Sequence, residues 1–169
     1  NEPAVARGFQ NGWDPYNQMM NRMNSLLMQG HEVDKLELII EGGTYTEFPK
    51  SYLETFHRDV FYSANTFYDI EPKREPLELA EEIFINKTTK VRIIGICIET
   101  RPDAIDDDWI KFFRNTGTTR IQLGVQHTNN KLLKKINRGH TFEQAVECIK
   151  YLKNNCFKVD IHLMPDLPG

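Results

Sequence analysis

The sequence predicts an α/β fold with parallel strands, a portion of a partial, TIM-like (β/α) barrel. Three observations carry that reading. Four short runs rich in branched apolar residues occur at Leu36 to Phe48, Arg92 to Pro102, Arg120 to His127 and Val159 to Gly169. Helical apolar patterns separate them, and alternating strands and helices imply parallel strands joined by right-handed crossovers. Each run ends in Gly, Glu, Gln, Thr or His, at the strand C-terminus where α/β sheets and barrels place their sites. Four strands do not close an eight-stranded barrel, so a segment of a larger, partly open one is expected.

Taken in order, Asn1 to Asn11 shows no clear period and reads as an arm or loop. Asp14 is an N-cap candidate, Pro15 suits a first helical turn, and Met19, Met20, Met23, Leu26 and Leu27 recur at helical spacing before Gly30. The methionines read as packing rather than as a cofactor box. A strand over 36–41 follows and stops at Gly42-Gly43. Pro49 opens a helix with Tyr52, Leu53, Phe56, Val60 and Phe61 on its apolar side. Residues 69–76, with two prolines and mixed charge, form a loop. The next helix runs from about Leu77 to Phe84 or Asn86, with Leu79, Ile83 and Phe84 inward and Glu78, Glu81 and Glu82 on a solvated face.

The strand over 91–98 leads through Thr100-Arg101-Pro102-Asp103 to a helix near 107–115, whose Asp106, Asp107 and Asp108 suit an N-terminal, dipole-favouring cluster better than a metal site. After Gly117 comes the strand 120–126. Residues 129–136 form a short helix carrying Lys131, Lys134 and Lys135. Thr141 and Gln144 make a capping box for a helix over 142–155, and the last strand covers 158–164.

The 169 residues suffice for one core of ordinary size. With 40% hydrophobic and 27% charged residues the composition is that of a soluble globular protein, and no apolar run approaches the roughly 20 residues of a bilayer-spanning helix. The cytoplasm is the default location. A formal net charge of -3 argues against a surface that binds nucleic acid along its whole length, leaving local basic patches. Cys97, Cys148 and Cys156 are odd in number and widely spaced, so neither a disulfide framework nor a CxxC metal site is visible. Cys97 and Cys148 read as small core residues. The chain opens at Asn1 without methionine and closes on a loop, and both ends are expected to be cut from a longer polypeptide.

Five ordered motifs carry a resemblance: IIEGGT, GICIETRPD, RIQLGVQ, KINRGHT and IHLMPDLPG. Together with NEPAVARGF and the GHEVDKLELII approach to the first strand, they resemble the radical S-adenosylmethionine (SAM) domain of the Elongator catalytic subunit family, which modifies the wobble uridine of tRNA. The likeness covers essentially all of residues 1–169. It implies a radical SAM core in which Gly42, Gly43 and Thr44 take the place of the Gly-Gly-Glu motif that meets the amino and carboxylate groups of SAM. Thr44 departs from the superfamily pattern and resembles the Elongator branch.

Glu99 falls where relatives hydrogen-bond the SAM ribose, and a carboxylate suits a vicinal diol because it accepts from both hydroxyls. Gln126 and Arg138 resemble the polar pair at the methionine end, with Arg138 as carboxylate partner. His162 and Met164 fall on the adenine and substrate side. Each has a plain competitor: Glu99 pairing with Arg101 or Arg120, Gln126 as a satisfied strand-end amide, Arg138 in a helix-end role, and His162 as a hydrogen-bonded core histidine.

The resemblance also implies a [4Fe-4S] cluster whose three cysteines lie before Asn1, and acetyl-CoA as co-substrate. The chain by itself is therefore expected to be inactive. In the implied chemistry the reduced cluster cleaves SAM to a 5'-deoxyadenosyl radical; this takes hydrogen from the acetyl group of acetyl-CoA, and the carbon radical adds to C5 of the uridine at position 34, on the way to 5-carboxymethyluridine. A family lysine that contacts acetyl-CoA falls in the region Leu26-Leu27-Met28, which has none. The acetyltransferase-like domain of relatives is also not in this sequence.

Lys131, Lys134 and Lys135 are candidates for tRNA phosphates, against a plain solvated helix face. Other Elongator subunits or a second copy are further partners implied by the family. The rival of a different class is a cluster-less, barrel-derived scaffold that binds tRNA or protein without radical chemistry. An anaerobic oxidase of porphyrin synthesis shares LGVQ and the Asn-Arg pair, but ETRPD and MPDLP disfavour it.

Overall fold

The computed structural model describes residues 2–167; Asn1 and the last two residues of the LPG ending lie outside the described residues. Four strands form one sheet in the order β1 (Lys35–Ile40), β2 (Arg92–Thr100), β3 (Arg120–Gln126) and β4 (Lys158–Leu163). The β2–β3 and β3–β4 pairs are parallel. Seven helices accompany them among the described residues: α1 (Pro3–Gln10), α2 (Pro15–Met28), α3 (Lys50–Asn65), α4 (Leu79–Asn86), α5 (Asp107–Asn115), α6 (Asn130–Lys135) and α7 (Phe142–Asn154). The α/β alternation expected from the sequence is thus present. The chain resolves into two compact units, residues 1–38 with 49–94, and residues 39–48 with 95–169.

In the first unit, Met19 and Met23 of α2 pack with Val33, Val60, Ala64, Phe67 and Val91, and Leu36, Leu38 and Phe56 lean on this cluster. The methionines are packing residues, as their spacing implied. Asp14 caps α2 by accepting from the Asn17 N–H at 2.7 Å.

Three expectations fail in this unit. The N-terminal segment read as an arm is helix α1, with Pro3 at its start, the one place where a missing N–H costs nothing. Tyr52, assigned to the apolar side of α3, is exposed. On α4 the expected faces are partly reversed, since Glu82 is fully buried and Phe84 is exposed. Leu79, Glu82 and Asn86 lie at spacings of three and four and share the inward stripe. A buried carboxylate there is tolerable because the loop before α4 supplies its counter-charge. Arg74 donates to both Glu82 oxygens at 2.6 Å, the Leu77 N–H donates at 2.9 Å, and Asn65 donates at 2.7 Å. Burial pushes the Glu82 carboxyl up, but these donors outweigh it and hold it below the usual carboxylate range.

In the second unit, the register pairs Glu99 with Gln122 and Gln122 with Asp160. Side chains alternate across a strand, so Glu99, Arg120, Gln122, Asp160 and His162 share one face of the sheet. Ile98, Ile121 and Leu123 occupy the other face and are fully buried. Arg120 donates to both oxygens of Asp160 at 3.1 and 2.9 Å, tying β3 to β4 across the polar face.

Helix α5 carries the aromatic core: Phe113 is fully buried, with ring centroids 6.0 Å from Tyr45, 5.7 Å from Trp109 and 6.2 Å from Phe157. Asp106 caps α5 by accepting from the Trp109 N–H, so the acidic triplet serves a helix terminus as expected. The capping box of Thr141 and Gln144 on α7 is also present. Cys97 and Cys148 are buried and Cys156 is exposed. No helix among the described residues is long and apolar enough to cross a membrane.

Candidate functional site at the strand C-termini

Parallel strands bring their C-terminal ends to one edge of a sheet, and every sequence-predicted cofactor residue lies at or just beyond such an end or, for Arg138, in the loop after α6. All eight fall in the second unit.

The loop after β1 is fixed at its far side and open at its near side. Thr44 starts a 3-10 turn by accepting from the Glu47 N–H at 3.0 Å, and Thr46 hydrogen-bonds Thr100 at 2.8 Å, joining the loop to the end of β2. Tyr45 is buried against Trp109 and Phe113, and burial raises its phenol well above the ordinary value despite a hydrogen bond with Thr116. Gly42 and Gly43 are exposed, and nothing lies within 4 Å of where a Cβ would stand on either. Their backbone therefore borders free space beside a rigid support.

Glu99 and His162, singled out separately from the sequence, meet: Glu99 Oε1 lies 3.1 Å from His162 Nδ1. Both are half-buried. The carboxylate accepts, so Nδ1 carries the hydrogen of this contact. The second Glu99 oxygen has no partner among the described residues. Arg101, the sequence-level competitor for Glu99, instead donates to Asp103 at 3.2 and 3.0 Å.

Gln126 ends β3 in an unusual backbone state. Its φ is 69°, the β3–β4 register shifts between Leu123 and Gln126, and its carbonyl accepts from the Met164 N–H at 2.8 Å. A left-handed conformation costs a residue with a side chain on the order of 1 kcal/mol or more, and such strain gathers where side chains must be aimed. Gly124 gives the amide room, because a Cβ there would stand 2.9 Å from Gln126 Nε2. Met164, just past β4, is 45% exposed at this same edge.

Arg138 follows Asn137, itself at φ 58°, and its N–H donates to the Leu133 carbonyl at 2.9 Å. Its side chain is half-buried and its guanidinium makes no hydrogen bond or ion pair among the described residues. A partly desolvated arginine with all five donors free suits a carboxylate or phosphate.

Lys131, Lys134 and Lys135 are exposed on α6, whose buried anchor is Leu133. Lys134 and Lys135 also complement the helix C-terminus. A groove of about 540 Å³ lined by Pro102, Asp103, Glu143, Glu147, Cys148 and Tyr151 contains none of the predicted cofactor or tRNA-contact residues. Its thiol is poorly nucleophilic, since burial, reinforced by Asp103, pushes Cys148 up to about 11.

Sequence reasoning missed the Arg120–Asp160 pair and Gln122, which share the sheet face with Glu99 and His162. Period-2 alternation from Glu99 and His162 would have found them. It also missed Asp103 and His140, whose contacts join segments 37 residues apart and leave no local pattern.

Residues 52–169 match the Radical SAM superfamily. Over 168 residues the chain is 39% identical to the tRNA uridine(34) acetyltransferase of Methanocaldococcus infernus, covering 99% of this chain and 30% of that protein. It is 35% identical to Elongator complex protein 3 of Schizosaccharomyces pombe, over the same shares of the two chains. The chain thus spans about 30% of the length of these curated relatives. Among solved structures, the archaeal Methanocaldococcus infernus Elp3 with an N-terminus deletion superposes with TM-score 0.88 at 38% identity, covering 96% of this chain and 36% of that one. Coproporphyrinogen III oxidase of Escherichia coli, at 19% identity, 99% of this chain, 32% of that chain and TM-score 0.58, shares the fold. The likeness to Elongator catalytic subunits read from the motifs is borne out by these matches.

Proposed function

Because this chain belongs to the radical SAM superfamily, we propose that residues 1–169 form part of the radical SAM domain of a tRNA wobble-uridine modifying enzyme, with SAM held at the strand C-termini. The observation that carries the reading is the free Arg138 guanidinium in the same unit as the open Gly42-Gly43 backbone and the Glu99 carboxylate.

The residues present fit SAM. Its methionine end offers an ammonium and a carboxylate. The carboxylate matches Arg138, with the Gly42, Gly43 and Thr44 backbone and the Gln126 amide as further partners. Its ribose diol matches the free Glu99 oxygen, whose other oxygen His162 occupies. His162 Nε2 and Met164 then border the adenine and substrate side. Bound SAM supplies the hydrogen-abstracting chemistry on reductive cleavage. The work of this chain is to bind it, orient it and keep water away from the reacting atoms.

The iron-sulfur cluster that the family implies finds no ligand set here, since no group of three His, Cys, Asp or Glu among the described residues could hold a metal. We therefore place its ligands elsewhere in the protein and route no step through this chain's cysteines. The same reading takes acetyl-CoA as co-substrate, tRNA as substrate with Lys131, Lys134 and Lys135 as phosphate contacts, 5-carboxymethyluridine at position 34 as product, other Elongator subunits or a second copy as partners, and the cytoplasm as location. The name tRNA uridine(34) acetyltransferase, carried by the Methanocaldococcus infernus relative, supports the tRNA substrate.

The test uses the full-length protein under anaerobic reducing conditions with SAM, acetyl-CoA and tRNA. Nucleoside mass spectrometry is expected to show a carboxymethyl gain on uridine 34, and chromatography 5'-deoxyadenosine. Folded protein that binds tRNA yet cleaves no SAM would instead make it a binding scaffold.

A further inference from the structure

His140 is fully buried, yet its ring serves no function assigned so far. Its Nε2 lies 3.3 Å from the Val125 carbonyl; a carbonyl only accepts, so Nε2 carries the hydrogen. Its Nδ1 has no hydrogen-bond partner among the described residues and lies 3.8 Å from Asp103 Oδ1. A buried polar atom left unsatisfied is costly, so retaining an imidazole here calls for a reason.

The surroundings supply one. Val125 precedes Gln126, and its carbonyl also accepts from the His127 N–H at 2.9 Å, so His140 grips the strained turn that aims the Gln126 amide. Arg138 lies two residues before His140. Between them, Gly139 runs so close to Asp103 that a Cβ on it would stand 2.6 Å from Oδ2. Asp103 is in turn held by Arg101 Nε and Nη2, and Arg101 Nη2 lies 3.9 Å from Glu47 Oε1. One chain of contacts thus joins the loop after β1, the end of β2, the turn after β3 and the Arg138 loop, all within the second unit.

We propose that His140 is a positioning latch: its Nε2–H, held to the Val125 carbonyl, fixes the Arg138 loop against the Gln126 turn, so that guanidinium and amide converge on the amino-carboxylate end of the bound ligand. The proposal rests on the SAM reading above. His140 acts through Arg138 and Gln126 and touches no ligand itself. Loss of the latch therefore weakens recognition of the carboxylate end and spares the nucleoside end.

Equilibrium binding of two ligands to the full-length protein separates these ends: SAM, and 5'-methylthioadenosine, which lacks the amino-carboxylate. His140→Phe keeps a ring and removes the grip on Val125. It is expected to weaken SAM roughly 10-fold, the size usual for an orienting outer residue, and 5'-methylthioadenosine less than about 2-fold, as for an uncoupled site. His140→Gln, which restores a donor of similar reach, is expected to recover most of the SAM affinity. His140→Leu, which likewise removes the Nε2–H donor from a buried site, is expected to show the same selectivity and stands in if His140→Phe does not fold. Equal losses for both ligands, or no loss for either, overturn the latch. Arg138→Ala is the control for the underlying reading: unchanged SAM affinity in that variant overturns the SAM assignment itself, whereas a SAM loss there beside an unaffected His140→Phe overturns the latch alone.

Discussion

Glu82→Ala is expected to destabilise the first unit by roughly 1–3 kcal/mol, the cost of leaving the donors that its buried carboxylate satisfies without an acceptor. The carboxylate accepts two hydrogen bonds from Arg74 and one each from the Leu77 N–H and Asn65. Asn65 in turn holds Asn86, which accepts from the Ile93 N–H at 2.8 Å and donates to the Val91 carbonyl at 3.0 Å at the start of β2. Loss of Glu82 therefore reaches beyond one pair. Urea unfolding followed by far-ultraviolet circular dichroism at pH 7 checks it, and a loss below 1 kcal/mol contradicts it.

Acid gives a second readout of the same group. The folded carboxyl is held below its ordinary 4.5. Its contribution is present in full above the unfolded value and is lost as pH falls below about 4.5 through the folded value. Wild type is expected to lose stability over that window more steeply than Glu82→Gln, in which nothing titrates at this position.

Phe113→Ala is expected to cost the second unit about 3–5 kcal/mol, the range for emptying a buried phenylalanine site. The ring is fully buried against Tyr45, Trp109 and Phe157, so the vacated space has aromatic walls that cannot collapse freely. Tyr45 follows Thr44, so the loss of its packing partner reaches the loop after β1. The variant should therefore weaken SAM binding as well as stability. Fluorescence of Trp109, in a Trp13→Phe background, reports the unfolding. A midpoint within the error of wild type would contradict the packing described.

The fold was largely legible because its signals are local. Branched runs, Asp14, Asp106 and Thr141 as caps, and Gly30 and Gly117 as stops placed most elements within a residue or two. The failures share a cause in long-range compensation. Glu82 reads as solvated from its charge, and only Arg74, eight residues upstream in an irregular loop, makes its burial tolerable. Helix α1 was missed because Val5 and Phe9 are exposed, so its sequence shows no buried apolar period.

For the site, strand ends pointed to Gly42, Gly43, Glu99, Gln126 and His162, since parallel strands deliver their C-termini to one edge. The sequence could not show that Glu99 meets His162, 63 residues away, nor that Gln126 adopts a left-handed backbone. Arg138 was reached through motif resemblance alone, because an arginine in a short loop carries no periodic signal.

SAM binding to wild type, Glu99→Gln and Arg138→Ala by calorimetry on the full-length protein tests the central claim most directly. The account predicts a saturable, single-site interaction. Each substitution should weaken it at least roughly 10-fold, as expected when a charge-assisted partner is removed, with folding unchanged by circular dichroism. Equal affinity in all three proteins would contradict the placement of SAM at these strand ends.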